Sequence, residues 1–409
     1  MVAVLTRDFH SNKMEIMDKT KKPFDFTRFK QRHIALKILY FGWDYDGLAE
    51  QESSNNTVEH HLFQALFKTC LVESRDKCKY NRCGRTDKGV SSHGQVVNLC
   101  VRSNLVDESE PQNLGLFTPD NYSGPSQIEA KSKELNYTNI LNHVLPDHIK
   151  VIAWAPVKRE FSSRFDCQSR SYSYIFPIGD LSIDLMKTAS SYLVGRHDFR
   201  NLCSFDLKNG VTNHTRVIES VDIQPIRSIS ENEPNLDSQY TFREIIIVGQ
   251  AFLYHQIRCI MTILFLVGAR RESPEVVRDL LDLDKCSSRP NYNRSSSLPL
   301  CLFDCSYKPG DIPLGWVHDV TSLSNVIKQL KSLWLTYKTK TMLIERSLTN
   351  LEKVASSDGL SDHSRWRDFG LEHDTMSDSK YVPILKRPRD VSLEAKLEQL
   401  SKKRKKHPE

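Results

Sequence analysis

Residues 32–43, RHIALKILYFGW, alternate so that Ile34, Leu36, Ile38 and Tyr40 share one face, the period-two signature of a strand. In NNTVEHHLFQALFKTCL the period lengthens: Val58, Leu62, Ala65, Leu66 and Thr69 fall on one helical stripe. Asn56 with Glu59 three residues on resembles a capping box at its start. A glycine-bounded turn, GRTDKG, follows, then a strand over 96–101. Residues 103–137 turn polar (DESEPQ, NYSGPSQ) and predict a long, mobile surface insertion. Order returns at ILNHVLPDHIKVIAWAPV, and FSSRFDCQSRSYSYIFPI sets Tyr172, Tyr174 and Phe176 on one face of a strand. IESVDIQPI and REIIIVGQAF read as hairpin strands joined by the polar SISENEPNLDSQ.

Ile257, Ile260, Met261, Leu264 and Val267 follow the helical period, with Gly268 as the C-terminal stop. Ser273-Pro274 then opens a second helix carrying Val276, Val277, Leu280 and Leu281, and PLCLFDCSY closes the ordered part as a strand. Loosely alternating elements with several hairpins predict an α+β fold in two similar halves. The divisions are a polar leader, partly disordered, over 1–31, an N-terminal half over 32–152, a C-terminal half over 153–308, and an extension over 309–409. The extension carries a possible helix (SLSNVIKQLKSLWLTYKTKTMLIERSL), a Ser/Asp-rich linker, and a tail with YVPILKRPR and KKRKKH.

Composition narrows the classes. Charged residues are 26% and apolar ones 39% of 409, the balance of a globular chain. A net charge of +6 leans mildly towards polyanionic partners. The start has no apolar signal region, and the greasiest run, CIMTILFLVG, is too short to span a bilayer and lies between Arg258 and Arg270, so no membrane partner is expected. Ten scattered cysteines form no C-x-x-C pair, and Cys301 and Cys305 sit inside a strand. Reduced thiols in a nuclear and/or cytoplasmic protein fit best. The basic KKRKK reads as a nuclear address or an RNA-attracting arm.

GRTDKG is not a phosphate loop, because Gly89 is followed by Val90 rather than Lys-Ser/Thr. D-K-G is also a common plain turn. Alternatively Asp87, ionised at neutral pH and flanked by cations, is a carboxylate suited to nucleophilic catalysis. His60-His61 falls in a helix, and His197-Asp198 in GRHDF fits structural hydrogen bonding better than metal. His255 and Arg258 lie three apart near a helix start. An arginine in so apolar a segment wants a carboxylate partner, and Asp87 is one candidate.

Together these segments resemble the TruA-type tRNA pseudouridine synthases. CGRTDKGVSSHGQV matches the family's signature around its aspartate. FSSRF with RSYSY, GRHDF, AFLYHQIRCI and LPLCLFDC resemble, in order, its tyrosine strand, its G-x-H-D-F element, its H-x-x-R helix and its closing pocket strand. PFDF, RHIALKI, NNTVE, LVESR and YVPILKRP are nearest a eukaryotic branch that modifies uridines 38 and 39 of the anticodon stem-loop. The resemblance implies a pseudouridine synthase fold, its two halves sharing a mainly antiparallel sheet around a central cleft.

The resemblance further implies Asp87 as nucleophile, Arg85 holding the RNA open at the flipped nucleotide, and Tyr172 against the base with a part in proton removal at C5. Arg258 would pair with Asp87, and Leu300 would line the base pocket. Neither cofactor nor metal is implied; the partners are tRNA, through its anticodon stem-loop, and a second subunit in a homodimer. Attack on the sugar and attack on the base both satisfy the pattern. Two departures stand out. RSSS precedes Pro299-Leu300 where relatives often carry an alanine and an acidic residue, and Ser173 replaces a frequently bulky or basic residue, so that a phosphate contact is expected to be missing. The competing readings are an RNA-binding or folding protein without catalysis and, more remotely, a metal hydrolase using His197, Asp198 and His255.

Overall fold

The alternating apolar positions become strands whose inward faces pack under helices. The computed structural model describes residues 23–124, 133–207, 210–226, 241–357 and 381–406. In chain order its elements are β1 (Lys30–Tyr40), α1 (Val58–Lys68), β2 (Asn81–Arg82), β3 (Ser91–Ser103), β4 (Leu116–Phe117), α2 (Tyr137–Asn142) and β5 (Ile149–Pro156). Then come β6 (Ser169–Pro177), α3 (Ile183–Ser191), β7 (Gly195–Asp198), β8 (Thr215–Pro225), β9 (Phe242–Gly249), α4 (Gln256–Gly268) and α5 (Val276–Leu281). β10 (Leu300–Ser306), α6 (Val320–Ser357) and α7 (Leu393–Lys406) complete it. The fold is α+β, as expected.

One sheet runs β4-β1-β3-β10-β6-β9-β8-β7, with β2 on β3 and β5 on β1. Every pairing is antiparallel except β10 with β3, which meet in parallel at Cys301–Ser91 and Leu302–Ser92. That short junction joins the two halves. One apolar core lies beneath β1, β3 and β5, around α1 and α2. A larger one surrounds α4. α4 is buried almost all round, because a helix apolar on every side belongs inside a core. Phe265 on α4 meets Tyr174 and Phe176 of β6 edge-on at 5.9 and 5.4 Å, so the predicted aromatic face of β6 is the face that α4 covers.

Three expectations change. The cap of α1 is Thr57, whose hydroxyl accepts from His60 N at 3.3 Å; Asn56 instead donates to Asp44 O in the preceding turn. Glu59, fully buried, leaves the cap to take Arg75, Arg82 and Tyr80. α4 ends at Gly268, as expected, but the residue in the left-handed region is Arg270, and the glycine permits close packing, since a Cβ there would lie 2.8 Å from Met186 Sδ. The described part of the polar insertion is tied down: β4 pairs with β1, and Glu134 takes buried Arg32 at 3.0 Å and the Ser103 hydroxyl. The SISENEPNLDSQ loop, most of the leader and the Ser/Asp-rich linker lie outside the described residues. The tail phrase returns to the body, where Glu272 accepts from Tyr381 OH at 2.5 Å and Ile384 N at 2.7 Å, with Ile384 fully buried.

Candidate active site

The GRTD turn sits where β3 begins, beside the parallel junction, and is clamped from both sides. Thr86 O accepts from Leu48 N at 3.1 Å, Gly89 N donates to Tyr45 O at 3.2 Å, and Val90 N closes onto Asp87 O at 3.1 Å. Below it the buried Tyr40 hydroxyl and Thr86 Oγ1 share a 2.7 Å hydrogen bond. Gly42 comes so close that a Cβ would stand 2.0 Å from Val90 O. Backbone that near cannot yield cheaply, so Gly42→Ala is expected to cost about 1–3 kcal/mol and to lower the thermal midpoint, measured by calorimetry.

Asp87 faces a cleft of about 820 Å³ that is also lined by Arg85, Tyr172, Arg258 and Leu300, so all five residues expected at the site meet in one space. The Asp87 side chain is 24% exposed, reachable yet largely dry. Burial raises its pKa above the ordinary carboxylate value, while the charges of Arg258 and Arg294 oppose that rise. Arg258 therefore acts on Asp87 through its field rather than as the expected contact pair. Its Nε donates to Ser295 O at 2.7 Å, and Ser295 Oγ donates back to Arg258 O at 3.0 Å.

The side chain nearest the carboxylate among the ionisable groups is His255, with Nε2 3.6 Å from Asp87 Oδ2, beyond hydrogen-bond length. His255 caps α4 in the left-handed region at φ 60°, a conformation costly for a non-glycine residue and common at functional sites. Burial, then Arg294 and Arg258, push its pKa down to about 3, so the ring is neutral at physiological pH. Arg294 donates into that ring, and Ser204 Oγ sits 3.0 Å from Nδ1.

Tyr172 lies on β6 between Leu302 of β10 and Ile247 of β9, its ring held edge-on by Phe252 at 5.1 Å. Burial, then nearby thiols and the Asp87 charge, raise its pKa well above the usual phenol value, so it remains a phenol. That opposes service as a ready-made base for the C5 proton; a face for a base ring and a hydroxyl are what it offers. Arg85 is exposed at the rim and makes no hydrogen bond or ion pair with another described residue. Leu300, buried at the start of β10, supplies an apolar wall. The lining holds eight Lys or Arg against three Asp, a strongly cationic channel in a mildly cationic chain.

The RSSS segment acts largely through its backbone. Ser295 O holds Arg258, Ser296 O accepts from Tyr174 OH at 3.1 Å, and Ser297 O accepts from Leu300 N at 3.1 Å. Ser173 turns away from the cleft, buried, and donates to Glu244 Oε1 at 2.5 Å. Ser173→Ala is thus expected to cost about 1 kcal/mol of stability and to leave tRNA affinity unchanged in a filter-binding assay. His197 bonds Val194 O and Asp198 takes Arg200, so GRHDF does structural work.

Sequence reasoning passed over Arg294, whose loop carries no periodic signal, and underweighted His255, whose i, i+3 spacing to Arg258 was the available clue. It also passed over a buried trio behind the turn: Cys83, Cys167 and Cys305, with sulfurs within 4.8 Å of one another in a small apolar core. All ten cysteines are free.

A family model described as tRNA pseudouridine synthase matches residues 189–308. The human tRNA pseudouridine(38/39) synthase is 38% identical over 392 residues, covering 93% of this chain and 79% of that protein. The Saccharomyces cerevisiae tRNA pseudouridine(38/39) synthase is 41% identical over 298 residues, 72% of this chain and 61% of the yeast one. A probable tRNA pseudouridine synthase of Caenorhabditis elegans is 38% identical over 395 residues, 95% and 94% of the two chains. The chain belongs to the TruA-type tRNA pseudouridine synthases, which are isomerases.

Proposed function

We infer that this chain converts uridine to pseudouridine at positions 38 and/or 39 of the tRNA anticodon stem-loop, the positions in the names of its relatives. The observation that carries the reading is the meeting of Asp87, Tyr172 and Arg258 in one cation-lined cleft. A stem uridine must leave its stack to reach that depth, at a cost of a few kcal/mol. Arg85 at the rim fills the gap and meets phosphate, while the Tyr172 ring stacks on the everted uracil. Leu300 closes the pocket on its apolar side.

In this reading Asp87 is the nucleophile, kept ionised against burial by Arg258 and Arg294. The N1–C1′ bond breaks, the base turns within the pocket, and a C5–C1′ bond forms. C5 loses its proton and N1 gains one, so the product is an isomer and no oxidant enters. Residues 32–152 and 153–308 serve as the two catalytic halves, each built largely around one main apolar core, with β5 crossing the boundary and a small third core shared between them. The KKRKK segment, which continues α7, fits a protein of nucleus and/or cytoplasm. Two copies would pair as a homodimer around the tRNA.

Mapping pseudouridine on tRNA from cells with and without this protein tests the assignment. The modification is expected to vanish at 38 and/or 39 without it. Unchanged anticodon stems would overturn it, and tight tRNA binding by purified protein with no pseudouridine formed would favour a binding protein instead.

A further inference from the structure

α6 runs 38 residues, about 57 Å, and only its first half is anchored. There Ser322 and Val326 are buried, Asn142 Nδ2 donates to Ser322 Oγ at 3.0 Å, and the Tyr337 ring meets Trp43 edge-on at 5.3 Å. Past Tyr337 the helix leaves the body, yet its apolar residues continue: Met342, Leu343, Ile344 and Leu351 are all more than half exposed. Large apolar side chains left this exposed along a helix point to a binding face.

The spacing says what kind. From Ile327, apolar positions advance by alternating threes and fours through Leu330, Trp334 and Tyr337. After Thr341 the same alternation continues through Ile344, Leu348, Leu351 and Ala355. A sustained seven-residue repeat of this kind is the seam of a left-handed coiled coil, not the broader stripe of a helix lying on a sheet.

The charges beside the seam select both partner and direction. The positions following Leu330, Tyr337, Ile344 and Leu351 are Lys331, Lys338, Glu345 and Glu352, basic in the anchored half and acidic in the free half. In an antiparallel pair these positions face their own kind across the seam. Lys331 with Glu352, and Lys338 with Glu345, share one midpoint between Thr341 and Met342, so a single two-fold axis satisfies both. A parallel pair would match only Lys340 with Glu345 of the partner subunit.

We propose that α6 pairs with α6 of a second copy as an antiparallel two-stranded coiled coil, Lys331 facing Glu352 of the partner subunit and Lys338 facing Glu345 of the partner subunit. Each free half lies over the other copy's anchored half. The proposal rests on the homodimer reading above and specifies its surface. The test uses the full chain: light scattering for mass, then zero-length carbodiimide coupling and peptide mass spectrometry. Lys331 and Glu352 are about 32 Å apart along one helix, so a link between them arises only between two antiparallel copies. A dimer mass with that link is expected. K331E/K338E should weaken dimerisation at least about tenfold, and adding E345K/E352K to the same chain should restore it. A monomer at all concentrations overturns both the coiled coil and the homodimer. A dimer lacking the link and indifferent to charge reversal overturns the coiled coil alone.

Discussion

Replacing Asp87 by asparagine is expected to reduce pseudouridine formation at least about ten-thousandfold, the scale on which loss of a covalent nucleophile acts. Asparagine keeps the shape of the side chain and loses the anionic oxygen. The turn around it is held by backbone hydrogen bonds from Leu48, Gly89 and Val90, none of which uses the carboxylate, so the loop should survive. Stability should hold or rise. A carboxyl whose pKa is higher folded than unfolded costs stability as pH climbs through that interval. Asparagine removes it, so the thermal midpoint at neutral pH should equal or exceed that of wild type, with tRNA affinity retained. A lower midpoint would instead indicate that Asp87 supports the fold.

Arg258→Gln should slow the reaction roughly tenfold or more at neutral pH and displace its pH dependence. With the guanidinium gone, burial of Asp87 is opposed by Arg294 alone, and the carboxyl titrates at higher pH. The acidic limb of the single-turnover rate profile therefore moves upward, and part of the lost rate returns as pH is raised. Arg258→Lys keeps the charge but loses the Nε bond to Ser295 O, so its limb should move less even if its rate falls. A merely structural role for Arg258 would lower the rate equally at every pH. An unmoved limb in Arg258→Gln would remove Arg258 from the electrostatics of the site.

Much of this arrangement was readable because period specifies faces. The strand of Ile34 to Tyr40, the stripe of α1, and the aromatic face of β6 were each set by spacing, and the structure buries all of these positions except Thr69 and Tyr172, which are half-buried. Asp87 was singled out by the resemblance of its whole motif rather than by spacing, because D-K-G alone is a common turn, and the structure places it in the cleft. Period does not say which faces meet. Arg294 reaches the site from a loop, and Cys83, Cys167 and Cys305 converge from three distant segments, so no local signal could join them. Local rules also compete. Asn56-x-x-Glu59 satisfied a capping pattern, but three cationic or hydroxyl partners drew Glu59 into the interior, and Thr57 took the cap. A missing phosphate contact was expected at Ser173 by analogy, and strand alternation puts that residue on the face opposite Tyr172, against Glu244.

The most direct measurement is nucleotide-resolution mapping of pseudouridine on an unmodified tRNA transcript incubated with purified wild-type or Asp87→Ala protein, with binding measured in parallel. Wild type is predicted to modify the 3′ side of the anticodon stem-loop, while the variant binds equally well and leaves every uridine intact. Pseudouridine made at that site by the variant, at a rate near wild type, would contradict the assignment of Asp87.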